Sequence, residues 1–354
     1  MQMNPRTSHI IATLVKTPFW LFELLTTAKS FKGNPIIGSS ILNRLGLHVV
    51  RLVISHGIMR VRMWMLAMPV SRQDRQFYFS EGYLVKENFL SDDEFNALEK
   101  EARLFNGDIR EARQGDTVTL RAALSPDVLE TIPAIDSLIN NRQFKQLAHF
   151  TAGHLREPFY YLEKVKNGYN SNNNGAPDPQ KTLHSDTFHP TMKCWFFIDD
   201  VKEEAGPFMY VPQSQRLTWK NIKWQYRMSI GAKDAKNTLH AKGSSRYDEE
   251  DLAVLGLPLA KAFAVKKNTL VFANTFGIHR RGDSTEKSTR LALWGDSRTN
   301  PFNPLPGLGG DAINKLQYYF LDQFRQKADE KAAKRGGRSP WKLLENNGTS
   351  IDDR

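Results

Sequence analysis

Cysteine is almost absent from the 354-residue sequence, in which Cys194 is the single example. One cysteine excludes an internal disulfide and any structural zinc site built on cysteine pairs. Long apolar runs are missing as well. The best stretch, residues 10–25, is interrupted by Lys16, Pro18 and Glu23, whereas a bilayer-spanning helix needs about 20 predominantly apolar residues. That stretch also lacks a small-residue cleavage site, so we expect no signal peptide and a cytoplasmic protein.

Acidic residues are scarce at one end of the chain only. The sequence has 49 Lys and Arg against 38 Asp and Glu, a net charge of +11. Residues 1–75 contain ten basic and two acidic groups, so they carry +8, and residues 76–354 carry only +3. With 40% hydrophobic and 25% charged residues the chain has an ordinary globular composition, which excludes wholesale disorder. The basic character therefore belongs to an N-terminal extension, residues 1–75.

A predicted helix in this extension has two unlike faces. Ser39 or Ser40 can cap a helix that runs to about residue 67, before Pro69. At about 100° per residue one narrow stripe of it is basic and polar, and the rest is apolar and includes Trp64. The stripe consists of Arg44, His48, Arg51, Ser55 and Arg62.

A basic stripe on an apolar helix is typical of helices that lie in an anionic membrane surface. We therefore predict membrane contact through residues 10–68, on the inner face of the membrane. Packing of the same helix on the globular domain, with solvated arginines, stays open as the alternative. No nucleic acid is expected as a partner, because the extension has no basic groove lined with aromatic residues and no finger motif.

The body of the chain, residues 76–335, has the pattern of a β-rich domain. Ser91 and Glu94 have the spacing of a capping box at a helix start, and a second helix is predicted over 132–152. Short strands separated by Gly, Pro and Asp turns follow, which is typical of an all-β sandwich or barrel. They are predicted at 82–85, 160–165, 193–198, 207–211, 268–272 and 289–294. A helix over about 312–334 closes the domain, and residues 336–354 are predicted to form a polar tail.

The sharpest local motif is a His-x-Asp at His184 and Asp186. Residues two apart on a strand point to the same face, so both can bind one ion from a single strand end. His279, which follows a predicted strand, is the best candidate for a third ligand. Two histidines and one carboxylate on one face are the ligand set of non-haem iron(II) oxygenases. Arg290, eleven residues later, can hold the carboxylate of a 2-oxo acid through two parallel hydrogen bonds.

On these motifs the sequence resembles the phytanoyl-CoA dioxygenase family of iron(II)- and 2-oxoglutarate-dependent oxygenases. The resemblance covers about residues 79–298 and also rests on Gly82-Tyr83-Leu84-Val85, on 195–201, on Gly206-Pro207 and on 211–215. Two positions depart from the family's Pro-Gly-Ser-His turn, where this chain has Gln213 and Gln215. Neither position is a metal ligand in the family, so the departures leave the iron site untouched.

The resemblance implies a double-stranded β-helix, a jelly-roll or cupin-like barrel with flanking helices. The helical N-terminal extension, residues 1–75, lies outside the resemblance. It implies Fe(II) held by His184, Asp186 and His279, with 2-oxoglutarate and O₂ as co-substrates and Arg290 on the 2-oxoglutarate carboxylate. The implied reaction hydroxylates an unactivated C–H bond and releases succinate and CO₂. Related halogenases have Ala or Gly at the position of Asp186. Lys164 and Trp195 are further candidates for contact with 2-oxoglutarate, with a solvated lysine and a core tryptophan as the alternatives.

The sequence leaves the substrate and two other functional classes open. A small molecule is expected, amphiphilic or lipid-linked if the extension contacts a membrane, and a soluble metabolite otherwise. A non-catalytic binding or regulatory protein with an oxygenase fold is one other class, and the complete triad argues against it. A cupin-like hydrolase or isomerase is the other, and Arg290 argues against it because such an enzyme needs no anchor for a keto acid.

Overall fold

The computed structural model describes residues 15–170 and 177–354. Its helices are α1 (15–23), α2 (Ser40–Arg44), α3 (Leu47–Met65), α4 (Arg72–Glu81), α5 (Asp92–Leu104), α6 (Pro126–Leu129), α7 (Pro133–Asn140), α8 (Arg142–Ala152), α9 (Trp219–Gly231), α10 (Thr238–Ala241), α11 (Glu249–Leu255) and α12 (Asp311–Lys334). Its strands are β1 (Tyr83–Lys86), β2 (Arg110–Gln114), β3 (Thr117–Ala123), β4 (Phe159–Asn167), β5 (Met192–Phe197), β6 (Phe208–Tyr210), β7 (Lys261–Ala262), β8 (Thr269–Asn274), β9 (His279–Arg281), β10 (Ser288–Ser297) and β11 (Lys342–Leu343). Residues 10–14 of the predicted membrane-contact segment lie outside the described residues.

The strands form two antiparallel sheets. The larger has the order β1-β8-β5-β10-β4-β3-β2-β11, and the smaller has the order β7-β6-β9. The sheets face each other: Trp195 of β5 packs on Phe208 of β6 with ring centroids 4.3 Å apart. Non-consecutive strands lie side by side in both sheets, as expected for a jelly-roll type of barrel. The predicted double-stranded β-helix with flanking helices is confirmed.

The larger sheet is covered on both faces, which is why β5 and β8 are almost wholly apolar. Side chains alternate between the two faces of a strand. On β5, Phe196 joins the core under α5, α7 and α8, and its neighbour Trp195 joins the aromatic core between the sheets. Phe144 of α8 packs on Phe272 of β8 at 5.8 Å from the helix side. This alternation leaves one face of β5 and β10 for a site between the sheets.

Several predicted elements have different bounds in the structure. The helix predicted over 132–152 is two helices, because Asn141 accepts the N–H groups of Gln143 and Phe144 and starts α8 as its N-cap. The strands β2 and β3 were not predicted. Residues 336–354, predicted as a polar tail, pack on the domain: β11 pairs with β2, and the Ile351 side chain is fully buried.

The helix predicted from Ser39 begins there, as Ser39 accepts the Leu42 N–H at 3.3 Å. It is interrupted at Gly46, whose φ of 96° ends α2 and starts α3. No helix among residues 15–170 and 177–354 is long and apolar enough to cross a membrane.

The basic stripe of α3 faces the protein, so the prediction that this stripe faces a membrane is wrong. Arg62 is fully buried and donates to the carbonyl oxygens of Gly153 and Asn300 at 2.7 and 2.9 Å. Arg51 donates to the carbonyls of Leu24 and Ala28 at 2.9 and 2.7 Å. Helical periodicity identifies a stripe without saying which face is covered. Guanidinium groups are suited to the covered face here because unpaired buried carbonyls need donors.

Candidate metal centre

Two short backbone segments bring the predicted ligands together. His184 and His279 exchange backbone hydrogen bonds of 3.0 and 2.9 Å in an isolated antiparallel bridge, and the Asp186 N–H donates to Thr275 at 3.0 Å. Segment 184–186 thus runs antiparallel to 275–279, although it is not part of a regular strand as predicted. Because directly paired residues share a face and residues two apart do too, all three side chains converge.

The candidate ligand atoms lie within 4.8 Å of one another. Oδ1 of Asp186 is 3.8 Å from Nε2 of His184 and 3.8 Å from Nε2 of His279. All three side chains are buried. One ion can therefore contact two imidazoles and one carboxylate on a single side.

Backbone carbonyls orient both imidazoles. Nδ1 of His184 is 2.7 Å from the Thr182 oxygen, and Nδ1 of His279 is 2.9 Å from the Gly277 oxygen. A carbonyl only accepts, so each Nδ1 carries the proton and each Nε2 presents its lone pair to the site. Burial lowers the pKa of His279 to about 4 and that of His184 well below its ordinary value, so both rings are neutral at pH 7.

Nε2 of His279 is buried and has no hydrogen-bond partner among the described residues. An unpaired buried acceptor is destabilising, and a metal ion in this position satisfies it. The donor set of two neutral imidazoles and a carboxylate fits a divalent transition metal. The residues present therefore fit an iron ion.

The loop before His279 depends on a glycine. A Cβ on Gly277 would lie 1.8 Å from the hydroxyl oxygen of Tyr210. That hydroxyl donates to the Asn274 carbonyl at 2.9 Å and so closes the loop at its start. Only glycine lets the backbone pass Tyr210 and place its own carbonyl on the ring of His279.

Asp186 is held by cations that sequence reasoning did not assign to it. Its Oδ2 lies 2.7 Å from Nζ of Lys193 and 3.3 Å from a guanidinium nitrogen of Arg298, which leaves Oδ1 toward the histidines. Burial by itself raises the pKa of Asp186, but Lys193 and Arg298 outweigh it and hold that pKa well below its ordinary value. The carboxylate is therefore ionised and oriented before any metal binds.

Lys29 reaches the same aspartate from the N-terminal extension. Its ammonium donates to the backbone carbonyl of Asp186, and burial, reinforced by Arg298, lowers the pKa of Lys29 to about 8. No sequence signal connects Lys29 or Arg298 to Asp186, because each is distant along the chain. For Lys193 a signal exists, since it lies two residues before Trp195 and therefore shares its face of β5.

Arg290 lines a small cavity beside the histidines. The cavity has a volume of about 80 Å³, and its lining includes His184, His279 and Trp195. Arg290 is buried and donates to the Gly206 carbonyl, and no acidic side chain in the described part of the chain forms an ion pair with it. Burial, followed by the charge of Arg281, lowers the pKa of Arg290 to about 10. A buried guanidinium without a counter-ion is suited to an anionic ligand.

Trp195 and Lys164, the two further candidates for contact with 2-oxoglutarate, differ in their position relative to this cavity. Trp195 lines the cavity beside Arg290. Lys164 does not reach it. On β4 the neighbour Glu163 faces the cavity, and by strand alternation Lys164 points to the other side, where its ammonium lies 3.2 Å from Oδ1 of Asp352. The sequence expectation for Lys164 is therefore corrected, because its place on the strand is one residue out of phase with the site.

A two-histidine, one-carboxylate cluster beside a buried arginine, set between the sheets of a jelly-roll barrel, is the arrangement of non-haem iron oxygenases. The family model of phytanoyl-CoA dioxygenase matches residues 78–253. This chain belongs to the phytanoyl-CoA dioxygenase family, as the sequence resemblance predicts, and is a 2-oxoglutarate-dependent dioxygenase with iron as its metal. The match includes His184 and Asp186 and ends before His279 and Arg290, which the fold brings to them.

Solved structures that are similar to this chain include an epimerase, HygX and EctD. The epimerase SnoN in complex with Fe³⁺, alpha-ketoglutarate and nogalamycin RO has 17% identity and a TM-score of 0.44, with 63% of this chain and 81% of that chain covered. HygX from Streptomyces hygroscopicus with nickel and 2-oxoglutarate has 14% identity and a TM-score of 0.39, with 64% and 86% covered. EctD from S. alaskensis with bound Fe has 15% identity and a TM-score of 0.38, with 64% and 76% covered. No curated protein matches the sequence.

Proposed function

We propose that this protein hydroxylates an unactivated C–H bond of a small organic substrate, with conversion of 2-oxoglutarate and O₂ to succinate and CO₂. One observation carries the proposal. The buried, unpartnered Nε2 of His279 faces Oδ1 of Asp186 at 3.8 Å, and a buried arginine without a counter-ion lines the same cavity. A metal ligand set next to an anion site is what a keto-acid-dependent oxygenase needs.

The residues divide the work in the following way. His184, Asp186 and His279 hold the metal from one side, and Lys193 orients Asp186 for that purpose. Arg290 binds the distal carboxylate of 2-oxoglutarate. The bound iron supplies the activation of O₂ and the oxidation of the keto acid.

The aromatic side chains of Trp195 and Phe208, together with Asp186, limit what can enter the site. Trp195 and Phe208 pack at 4.3 Å beside the ligands and narrow the cavity that both line. A carboxylate at residue 186 occupies the position that a halide needs in related halogenases. Hydroxylation is therefore the outcome that this ligand set favours.

The decisive experiment measures succinate formation from 2-oxoglutarate together with bound iron in His184→Ala and Asp186→Ala. Each variant loses a ligand from a set of three, so we expect iron content and turnover to fall to background. Asp127→Ala is the matched control, because Asp127 is an exposed aspartate on α6, 4.0 Å from Lys315, and is not among the residues that line the cavity of the ligands. Undiminished turnover in both ligand variants would overturn the metal assignment.

A titration with 2-oxoglutarate separates this proposal from the other classes. In the iron-loaded protein we expect Arg290→Lys to weaken 2-oxoglutarate binding by about tenfold or more, because lysine lacks the planar two-point contact. A hydrolase or isomerase would bind metal but ignore 2-oxoglutarate. A non-catalytic binding protein would bind no Fe(II).

We infer that the substrate is amphiphilic or lipid-linked, with a soluble metabolite as the second candidate. A cavity of about 610 Å³ between α3 and the barrel supports the first. Val53, Met63, Phe79 and Leu217 contribute to its lining, together with Pro190, which lies four residues after Asp186. A screen of candidate molecules by mass spectrometry for the gain of one oxygen atom tests the inference. Exclusive turnover of small, fully water-soluble compounds would contradict it.

A further inference from the structure

The helix α3 is amphipathic in the reverse of the usual sense. Its buried face contains the polar stripe, including His48, Arg51, Ser55 and Arg62. Apart from Arg60 at its edge, its solvent face is apolar and consists of Val50, Val53, Ile54, Gly57, Val61, Trp64 and Met65. At about 100° per residue these positions fall within an arc of about 120°, and from 50 to 65 they extend about 22 Å along the axis. A globular protein normally turns such a stripe toward its core.

The two helices before α3 also carry exposed apolar side chains. Val15, Phe19 and Phe22 are exposed on α1 at helical spacing, and Ile41 and Leu45 are exposed on and just after α2. Half of the exposed large apolar side chains in the described part of the chain lie between residues 15 and 68. We name the exposed apolar side chains of residues 15–65 the N-terminal apolar face. A face of this extent is expected to have a partner.

The exposed charged side chains of residues 15–75 are all basic. The exposed basic side chains of the segment are Lys16, Lys32, Arg44, Arg60 and Arg72. Its two acidic side chains are less exposed and already engaged: Glu23 accepts from the Asn34 amide at 2.7 Å, and Asp74 pairs with Lys86 at 2.6 Å. A partner of this segment therefore meets apolar side chains together with exposed positive charge.

We propose that the N-terminal apolar face binds the surface of an anionic lipid bilayer, with α1 and α3 lying at the headgroup level. Apolar side chains enter the acyl boundary, the exposed basic side chains contact anionic headgroups, and Trp64 provides the aromatic anchor. Each basic side chain near such a surface strengthens binding by about fivefold. A second copy of the chain is a poorer partner, because it brings the same cations to the contact. Arg62 holds α3 to the globular domain, so the face is presented without refolding.

The test is co-sedimentation of the full-length protein with vesicles of phosphatidylcholine alone and of phosphatidylcholine with phosphatidylserine. We expect about tenfold or greater preference for the anionic vesicles, reduced by added salt. Trp64→Glu and Ile54→Glu should each weaken binding by about tenfold or more. Phe324→Glu on α12, where Phe324 is 71% exposed against 73% for Trp64, is the matched control and should bind as the wild type does.

Three results would overturn the proposal. They are absence of binding to either vesicle, equal binding to both, and equal weakening by Phe324→Glu and Trp64→Glu. Sedimentation velocity adds a check, since a dimer that Trp64→Glu dissociates would identify the face as a contact between copies. Vesicle binding needs neither iron nor substrate, so its failure is distinguishable from failure of the proposed reaction. Unchanged thermal unfolding and succinate formation in the variants would show that the fold and the metal site are intact.

Discussion

At the scale of single residues, each candidate metal ligand is oriented by a group that is not a ligand. Carbonyl oxygens of Thr182 and Gly277 fix the two imidazoles, and Lys193 fixes the carboxylate at 2.7 Å. Such partners set the direction of the ligand lone pairs, and their loss typically lowers metal affinity by about 10- to 100-fold. The site is therefore organised before the metal arrives.

We expect Lys193→Met to lower metal affinity by about tenfold or more without unfolding the protein. Methionine fills a similar volume but leaves Oδ2 of Asp186 without its closest cation, so the carboxylate can rotate away from the histidines. Titration with Co(II), followed by its visible absorption, measures the change. Lys202→Met replaces an exposed lysine and serves as the control. Equal affinity in Lys193→Met and the wild type would show that Arg298 alone orients the aspartate.

At the scale of elements, α3 joins the N-terminal extension to the barrel through polar contacts. His48 lies within 3.1 Å of the Gln225 side chain on α9, and its ring packs against Phe31 and Phe188. Burial lowers the pKa of His48 to about 4, so this histidine is neutral in the folded protein. Docking of α3 is consequently sensitive to acid.

The sign of the pH dependence follows from the lowered pKa of His48. The unfolded chain takes up a proton at this residue near pH 6.5, and the folded protein does so only near pH 4. The stabilisation is therefore complete above about pH 6.5 and is lost as the pH falls toward 4. When the pH falls from 6.5 to 4, the free energy of unfolding of His48→Gln should decrease by about 3 kcal/mol less than that of the wild type. Urea unfolding at both pH values measures the difference. Parallel pH profiles for the two proteins would contradict this.

At the scale of the whole molecule, residues 15–75 are part of the structure that encloses the metal centre. Lys29 donates to the Asp186 carbonyl, and Leu52 of α3 is fully buried in a cluster with Phe188 and Phe276. Phe188 lies two residues after Asp186, and Phe276 lies three before His279. The same helix thus covers the metal-bearing loops with its inner face and presents an apolar surface to solvent with its outer face.

We expect a deletion of residues 1–75 to destabilise the remaining chain and to lower its metal affinity. The deletion uncovers the Phe188 and Phe276 cluster and removes the donors to the Gly153 and Asn300 carbonyls, and uncovered apolar surface and unpaired carbonyls are both unfavourable. Thermal unfolding and iron content of the fragment test this. A soluble fragment with the melting temperature and iron content of the full chain would show that the extension is an independent appendage.

Local patterns in the sequence were sufficient for much of the fold and part of the site. The capping box at Ser91 and Glu94 forms as predicted. All six predicted strands begin within one residue of the observed strands, because apolar runs and turn residues act locally. The His-x-Asp spacing puts two ligands on one face for the same reason. The polar stripe predicted on α3 also forms, since His48, Arg51, Ser55 and Arg62 lie together on its buried side.

Other features were decided by tertiary structure alone. Spacing along the chain does not encode which distant groups meet, so the contacts of Lys29 and Arg298 with Asp186 had no signal. Periodicity describes how side chains on α3 are arranged relative to one another but not which face the barrel covers. That choice depends on the carbonyl groups that residues 24–28 present to Arg51 and that Gly153 and Asn300 present to Arg62, and it turned the apolar side of α3 outward. The sequence by itself therefore determined the chemistry of the ligands, and the tertiary structure decided their supports and which side of α3 is exposed, because those depend on contacts between distant segments.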